Sequence, residues 1–461
     1  MVRQFLIMVA VLAAANPSGA RAQDTTLARL VEEAATASPE VAQARAQVEA
    51  ERARIPQAGA LPDPSLTLGI QNDGFKRIEI GTMETSFFNI MVTQPLFWPG
   101  KRGLREQLAT LEARRAEARL TRAVLDLEGR VGRAWIGLLL VRGQIELLDE
   151  QERLWTQAEQ TARSRYESGQ VPQSDLLRAQ LERARLQRRR WALEAEVATR
   201  TAEMNRLRAH PLDEPVSVMT RLADLSDPAV LPDADAQKDA ETRSPEVQIA
   251  TLAVEQAGRR VDLARKERWP DFAITAQVMP RGSLEPMWQL GVSVGLPIFA
   301  GRKQNRSIDE NQQRRIGEAQ GAEALKQILR LRTRERLSTL SALNRTNQHY
   351  RTQILVLSAA SARSTLAQYE VARVPFAAVL DALSGYVSDR AGYLGSIADA
   401  QLVAIAQLEV SLEPVPSMAG GGATAAMAGV SPTAARASAA STGTQSSGAE
   451  AAIPSRAMNG M

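Results

Sequence analysis

Residues that could catalyse a reaction or bind a metal are scarce in this sequence. Its 461 residues include two histidines, His210 and His349, and no cysteine. His210 lies at the end of a predicted helix and His349 within one, and neither has a second ligand at the spacing that a zinc site requires. The sequence has no glycine-rich phosphate loop. We therefore expect no enzymatic activity, no cofactor, no metal site and no disulfide.

The remaining chemistry is that of charge and shape. The net charge of +4 is spread over the chain with both signs mixed. The basic run Arg188-Arg189-Arg190 lies in a Glu-rich helical stretch, which is typical of a solvated helix surface, so we expect no nucleic-acid partner. Charged residues make up 23% of the chain and aromatic residues 4%, which favours long helices over a large globular core.

The sequence contains two copies of one pattern, about 206 residues apart. The element Ser-Pro-Glu-Val occurs at residues 38–41 and again at 244–247. Further landmarks return in the same order: Pro95-Leu96-Phe97 before Gly100 as Pro297-Ile298-Phe299 before Gly301, and Tyr166-Glu167 with Val171-Pro172 as Tyr369-Glu370 with Val374-Pro375. The period is too long for a solenoid, so it predicts two copies of a half-protein.

The repeat and the chain ends predict the domain organisation. Residues 1–22 have the form of a signal peptide: Arg3, an apolar run too short to span a bilayer, and a small-x-small cleavage site at Ala20-Arg21-Ala22. We predict a first structural repeat over 23–210, an equatorial linker over 211–236 and a second repeat over 237–416. Residues 417–461 are rich in Ala, Gly, Ser and Thr, and we predict a disordered tail.

Each repeat reads as a helix, two strands and a long helical hairpin. In the first repeat the helices are predicted over Leu27–Gln57, Arg102–Arg165 and Ser174–Arg208, with strands around Leu66–Ile70 and Phe88–Val92. In the second, helices are predicted over Gln237–Arg268 and Arg302–Gln368, with strands over Phe272–Val278 and Trp288–Leu296 around a loop at Pro280–Pro286.

The predicted strands have one apolar and one polar face, and this pattern favours a lipid-facing barrel with a wet interior. Four strands cannot close a barrel, and an open edge is not stable in lipid, so several copies must share one. Two copies would give eight strands and a filled lumen, whereas three give twelve and room for water. We favour three. The predicted fold class is therefore mainly α with a small β part, in which four strands per chain contribute to a shared 12-stranded transmembrane barrel.

The helices form the larger part of the prediction. Apolar residues from Leu120 to Leu148 recur at alternating steps of four and three, which indicates a coiled-coil seam, with a buried globular helix as the alternative. A helix over Arg102–Arg165 would be about 95 Å long. Duplicated hairpins of this length in a trimer would form a tube, an α-barrel, rather than a core.

Each long helix is predicted to turn back at a hairpin tip. Gly169 permits a left-handed helix end and Pro172 prevents the helix from continuing. Ordinary turn chemistry explains these residues, but an apolar Val-Pro pair in both copies, Val171-Pro172 and Val374-Pro375, also indicates docking to another protein.

Taken together, the signal peptide, the duplicated halves, the Ser-Pro-Glu-Val openings, the Pro-Leu-Phe and Pro-Ile-Phe-x-Gly junctions and the paired tips resemble the TolC-type outer-membrane efflux proteins. The resemblance spans residues 24–412. The Leu61-Pro62-Asp63-Pro64 segment is most similar to the heavy-metal efflux branch.

The resemblance implies a homotrimer in outer-membrane lipid with its helical part in the periplasm, bound at the tips by a periplasmic adaptor that serves an inner-membrane pump. It implies adaptor contact at Gly169, Val171, Pro172, Val374 and Pro375. It also implies a gate formed by Tyr369 and its facing Asp175, by Arg373, and by a ring of Asp381 carboxylates that would favour cations. A second acidic ring is in doubt, because its position holds Ala378.

The function expected on this basis is a passive exit duct for small solutes such as metal ions or drugs. Type I protein secretion through the same kind of duct is the first alternative. A structural coiled-coil surface protein is a weaker one, because it does not account for the four amphipathic strands or the duplication.

Overall fold

The computed structural model describes residues 19–371 and 373–414. Most of the predicted signal peptide and the whole predicted tail lie outside these residues. The first half of the chain forms α1 (Gly19–Ala37), α2 (Pro39–Gly59), β1 (Ser65–Gln71), β2 (Phe87–Leu96), α3 (Lys101–Glu167) and α4 (Gln173–Leu207). The second forms α5 (Asp233–Arg243), α6 (Pro245–Lys266), β3 (Phe272–Arg281), β4 (Leu284–Val294), α7 (Gln304–His349), α8 (Leu355–Glu370) and α9 (Phe376–Leu408).

The four strands form one antiparallel sheet in the order β1-β2-β3-β4. β2 and β3 come from different halves of the chain and pair from Ile90 opposite Val278 to Leu96 opposite Phe272. Backbone hydrogen bonds therefore join the two halves. The β3–β4 hairpin is longer than predicted, because both strands extend into the predicted loop and leave a turn at Gly282-Ser283.

One face of this sheet is apolar and exposed. The register places one residue from each strand side by side, Leu68, Ile90, Val278 and Trp288, and these are 68, 42, 48 and 78% exposed. The opposite face carries mainly Ser, Thr, Gly, Asn and Gln, and the hydroxyls of Thr93 and Thr275 lie 3.4 Å apart on it. The predicted alternation of apolar and polar residues is confirmed.

The helices pack along α3, which contacts α2, α4, α6 and α9. The predicted seam from Leu120 to Leu148 is buried or half-buried at every position. Apolar side chains from the neighbouring helices cover it, among them Val41, Met204, Ile397 and Leu402. No helix in residues 19–371 and 373–414 is both long enough and apolar enough to cross a membrane.

The predicted helices Leu27–Gln57 and Gln237–Arg268 are each two helices, so the prediction of single helices was wrong. Ser38 and Ser244 are extended, and Pro39 and Pro245 begin new helices. A proline disfavours the helical conformation of the residue before it. In the first turn of a helix a proline is favourable, because its missing N–H is not needed there. The Ser244 hydroxyl also accepts a hydrogen bond from the Val247 N–H at 3.3 Å.

The predicted helix Arg302–Gln368 starts two residues later and is interrupted. A π-helical turn over Tyr350–Ile354 separates α7 from α8. Because a π-helical turn contains one more residue than an α-helical turn, it changes the direction in which the following side chains point. Arg351 pairs with Asp227 of the linker, and the Asn347 amide donates to the same carboxylate at 3.1 Å. The π turn thus lies where the long helix contacts the linker between the two halves.

A buried lysine fixes the sheet to the helices. The Lys101 ammonium group donates to the Trp269 carbonyl and to the Asp271 carboxylate, both at 2.8 Å. The Trp98 N–H donates to the same carboxylate at 2.8 Å, and the Trp98 and Trp269 rings stack with centroids 5.0 Å apart. The end of β2, the start of α3 and the start of β3 are therefore held together.

A second buried ionic group lies at the carboxyl end of α9. Glu409 is buried and pairs with Arg133 and, at 3.6 Å, with Arg122. Gly129 makes room for it, because a Cβ there would lie 2.5 Å from a Glu409 carboxylate oxygen. Among the described residues the neighbouring Glu128 makes no comparable ion pair, and burial raises its pKa to about 7 although Arg243 opposes the shift.

We expect Glu128→Gln to stabilise the protein above neutral pH. The Glu128 carboxyl group loses its proton near pH 4.5 in the unfolded chain and near pH 7 in the folded protein. The free energy of unfolding therefore falls as the pH rises between these two values. An amide removes this cost, and the unfolding free energy should rise by about 1–3 kcal/mol at pH 8 and stay unchanged at pH 4. Unfolding in detergent at both pH values measures this, with the exposed Glu194→Gln as control. An equal gain at both pH values would contradict it.

Candidate functional site at the helical hairpin tips

Both helical hairpins end in a turn closed by the same backbone hydrogen bond. In the first, the Gln170 N–H donates to the Arg165 carbonyl at 2.8 Å, and Gly169 has a φ of 71°, the left-handed conformation that ends many helices. In the second, the Arg373 N–H donates to the Gln368 carbonyl, also at 2.8 Å. Pro172 and Pro375 then immediately precede α4 and α9.

The residues predicted to contact an adaptor lie on these turns. Gly169, Pro172 and Pro375 are exposed, whereas Val171 and Val374 are half-buried. Val374 packs against the apolar cluster beneath the second tip. Val371, which was not among the predicted residues, is 62% exposed and adds to the apolar surface.

An aromatic cluster joins the two hairpins beneath the turns. Phe376 of α9 lies edge-on to Trp155 of α3, with centroids 6.5 Å apart, and tilted against Tyr369 of α8 at 5.4 Å. All three side chains are buried. Aromatic pairs at such distances contribute about 0.5–1.5 kcal/mol beyond the area that they bury. The cluster therefore holds the first hairpin to the second.

Arg165 of the first hairpin holds Tyr369 of the second. Its guanidinium carbon lies 4.6 Å from the centre of the tyrosine ring, and its Nη1 donates to the Tyr369 carbonyl at 2.7 Å. Burial and the nearby Asp175 carboxylate raise the pKa of the Tyr369 phenol, although Arg165 opposes this shift. The phenol therefore stays protonated at physiological pH.

The structure brings two of the four predicted gate residues together. Asp175 lies in the first turn of α4, close enough to Tyr369 for its charge to act on the phenol, and no direct hydrogen bond between the two occurs in the described structure. Arg373 and Asp381 are exposed on the second hairpin. Neither of these two side chains makes a hydrogen bond or an ion pair within residues 19–371 and 373–414.

A buried carboxylate holds the two helices of the first hairpin together. Glu159 of α3 pairs with Arg183 of α4 at 2.7 Å and with Arg163 at 3.0 Å. The hydrogen bond from Arg183 is the largest cause that lowers the pKa of Glu159, and it outweighs the effect of burial. This carboxylate is therefore ionised at neutral pH.

A groove of about 340 Å³ runs between α3 and α8 over α9. Apolar residues such as Leu154, Leu366 and Leu383 line it. The Tyr386 hydroxyl donates to the Glu150 carboxylate at 2.7 Å at its edge, and Arg390 lies 3.3 Å from the same carboxylate. No group of three or more His, Asp or Glu side chains in the described part of the chain is placed to hold a metal ion.

Sequence reasoning missed Trp155, Arg165 and Phe376 as the residues that hold the hairpins together. Trp155 had a usable signal, because it lies seven residues after Leu148 and extends the predicted seam by one heptad. Phe376 and Arg165 gave no comparable signal. Their contacts arise only when the two halves of the chain lie side by side.

Comparisons with known proteins show which solved structures share this fold. Solved structures with the same fold include the outer-membrane channel OprN, at 18% identity and a TM-score of 0.70 over 85% of this chain and 92% of that one. CusC matches at 17% identity and a TM-score of 0.71 over the same shares. VceC from Vibrio cholerae matches at 15% identity and a TM-score of 0.69 over 85% of this chain and 97% of that one.

The family model described as outer membrane efflux protein matches residues 30–209. A comparison with curated proteins found no match. The predicted resemblance is confirmed: residues 30–209 match the outer membrane efflux protein model, and 85% of the chain shares the fold of OprN. The description of the matching family agrees with the predicted location in the outer membrane.

We expect Phe376→Ala to loosen the second tip. Removing a buried phenylalanine side chain costs about 3–5 kcal/mol. Amide hydrogens from Leu366 to Leu383 should then exchange roughly tenfold faster or more, because the local opening free energy falls. Hydrogen-exchange mass spectrometry measures this, with Phe376→Leu as a milder change and the exposed Val371→Ala as control. Unchanged exchange in Phe376→Ala would show that the aromatic cluster does not hold the hairpins together.

Proposed function

We propose that the protein is the exit duct of a tripartite efflux system, which passes small solutes passively from an inner-membrane pump and a periplasmic adaptor to the outside. The observation that supports this best is the sheet, which has an exposed apolar face, a polar opposite face and a direct connection to a helix of 67 residues. A sheet of this kind suits lipid on one side and water on the other.

The edges of the sheet support a shared barrel. β1 and β4 each have one edge without a partner strand in the described structure. In lipid such an edge would leave backbone hydrogen-bonding groups unsatisfied, so β4 of one copy should pair with β1 of the next. Three copies give twelve strands and a wet lumen, and we therefore propose a homotrimer.

The helices support the same assembly. α4 packs on α3, α3 on α9 and α9 on α8, so α4 and α8 lie at the two sides of the helical layer. Both of these helices carry exposed apolar side chains: Leu177, Leu181 and Trp191 on α4, and Val356 and Leu357 on α8. Packing of α4 against α8 of a neighbouring copy would cover them and close an α-barrel.

The tips are the proposed contact with the adaptor. A helix of 67 residues is about 100 Å long, so the tips would lie far from the membrane, in the periplasm. We propose that the exposed apolar surface formed by Gly169, Val171 and Pro172, with Val374 and Pro375, binds the adaptor. The pump would supply the energy, and the duct itself needs no cofactor.

The gate is proposed to open when the second hairpin leaves the first. The contact of Tyr369 with Arg165, close to Asp175, would hold the closed state within each copy. Arg373 is exposed and could reach a neighbouring hairpin, and three Asp381 carboxylates would form a ring that favours cations at a narrow aperture.

Several classes of exported substrate are compatible with this proposal. Drugs or metal ions are the first candidates, with the heavy-metal branch indicated by Leu61-Pro62-Asp63-Pro64, and export of proteins by type I secretion is the alternative. A structural coiled-coil surface protein is less well supported, because it gives no role to the exposed apolar face of the sheet.

The proposal predicts a trimer that conducts. Light scattering of the detergent-extracted protein should give the mass of three chains, and planar bilayers should show small, mostly closed, cation-selective steps. Asp381→Asn should raise the leak conductance or weaken block by multivalent cations, because the acidic ring is lost. The exposed Glu167→Gln at the other tip is the control.

A soluble species with no conductance would contradict the duct and favour the coiled-coil surface protein. A conducting trimer with identical traces for wild type and Asp381→Asn would contradict only the acidic gate.

The adaptor contact predicts a defect from charges at the tips. Val171→Asp combined with Val374→Asp should abolish pull-down of the purified adaptor and lower drug or metal resistance in cells, because a carboxylate at an apolar contact must be desolvated. Val230→Asp in the linker removes a similarly apolar residue away from the tips and should leave both unchanged. Normal pull-down and resistance in the double variant would contradict the docking site.

A further inference from the structure

A second pair of matching motifs lies where the strands lead into the long helices. Gly100-Lys101-Arg102 with Arg105 follows β2, and Gly301-Arg302-Lys303 with Arg306 follows β4. Cations at a helix start are disfavoured by the helix dipole. Neither α3 nor α7 has an acidic residue in its first turn to offset this. An unfavourable local pattern that occurs twice indicates a function.

The first copy of the motif is mostly used inside the protein. Lys101 is buried against Asp271. Arg102 donates from Nε to the Gly59 carbonyl at 2.9 Å, and the Arg105 guanidinium lies 3.9 Å from the centre of the Phe97 ring. These contacts make Lys101 and Arg105 structural, whereas Arg102 is exposed and uses only its Nε, which leaves the rest of its guanidinium group accessible.

The second copy leaves its cations free for an external partner. Arg302 and Lys303 are exposed and make no side-chain hydrogen bond or ion pair within the residues that the structure describes. Within the described part of the chain Arg306 pairs only with the exposed Asp309, at 3.3 Å. The basic residues at the end of α6, by contrast, lie where a helix dipole favours them and need no further explanation.

Exposed apolar side chains directly precede these cations in the sequence. Leu296, Ile298 and Phe299 are 71, 75 and 70% exposed, and they follow the apolar face of β4 without a gap in the chain. Apolar side chains that enter hydrocarbon, followed within a few residues by cations at the level of the headgroups, are typical of a membrane interface.

We infer that this junction collar, formed by Leu296, Ile298, Phe299, Arg302, Lys303 and Arg102, binds the phosphate groups of anionic phospholipids in the leaflet that faces the helices. The inference rests on the proposed function, because it requires the sheet to lie in lipid. Charge complementarity selects an anionic headgroup, and continuity with the apolar face of β4 selects a lipid. In a trimer three copies of the collar would fix the depth of the barrel in the membrane.

Native mass spectrometry of the full-length trimer tests the collar. The protein is incubated with phosphatidylglycerol or with phosphatidylcholine of the same acyl chains. Wild type should retain roughly tenfold more phosphatidylglycerol, and the triple variant Arg102→Gln, Arg302→Gln, Lys303→Gln should lose most of this preference. Higher salt should weaken the preference in wild type. The control variant Arg178→Gln, Arg188→Gln, Arg189→Gln removes the same charge from α4 and should behave as wild type.

The outcomes separate the collar from the duct. Equal retention of the two lipids by wild type overturns the collar, and so does a preference that survives in the triple variant or is lost equally in the control. Each of these results leaves the proposed duct in place if the trimer still conducts. A wild-type protein that neither forms a trimer nor inserts into bilayers overturns the duct, and the collar with it.

Discussion

The four-stranded sheet has an apolar face and two strand edges that all need a partner, and the rest of the structure depends on this constraint. Its apolar face is exposed, and in the described residues its two outer strands each lack a neighbour on one side. Water satisfies the backbone at the edges but not the apolar face, and lipid satisfies the face but not the edges. A lipid environment together with further copies of the chain satisfies both. The proposed shared barrel is therefore an arrangement that would satisfy both requirements.

α3 connects this constraint to the tips. At its start, buried Lys101 bonds to the segment that leads into β3, and near its end Arg165 holds Tyr369 of the other hairpin. Aromatic residues make up 4% of the chain, and several of them lie at these two places: Trp98 with Trp269 at the sheet, and Trp155 with Phe376 and Tyr369 at the tips. Movement of one hairpin relative to the other would therefore have to break contacts that α3 makes.

Much of the fold could be predicted from the sequence because its periodicities are local. Strand alternation, the heptad seam and the Val-Pro turns each depend on residues within a few positions of one another. The helix breaks at Ser38 and Ser244 also have a local cause, but they were not predicted because the sequence on both sides of each Ser-Pro has a strong helical pattern. The π turn at Tyr350 and the contact between Trp155 and Phe376 depend on residues that are distant in the chain, and a single sequence carries no direct record of such contacts.

The strand order within one chain determines how the proposed ring assembles. Any open row of copies, whatever its number, keeps two bare edges, one on β1 of the first copy and one on β4 of the last. Only the final contact removes both at once, so most of the benefit of entering lipid comes at ring closure rather than with each added chain. Incomplete rows should therefore stay out of the membrane. Insertion should behave as a single concerted event, with a steep dependence on protein concentration.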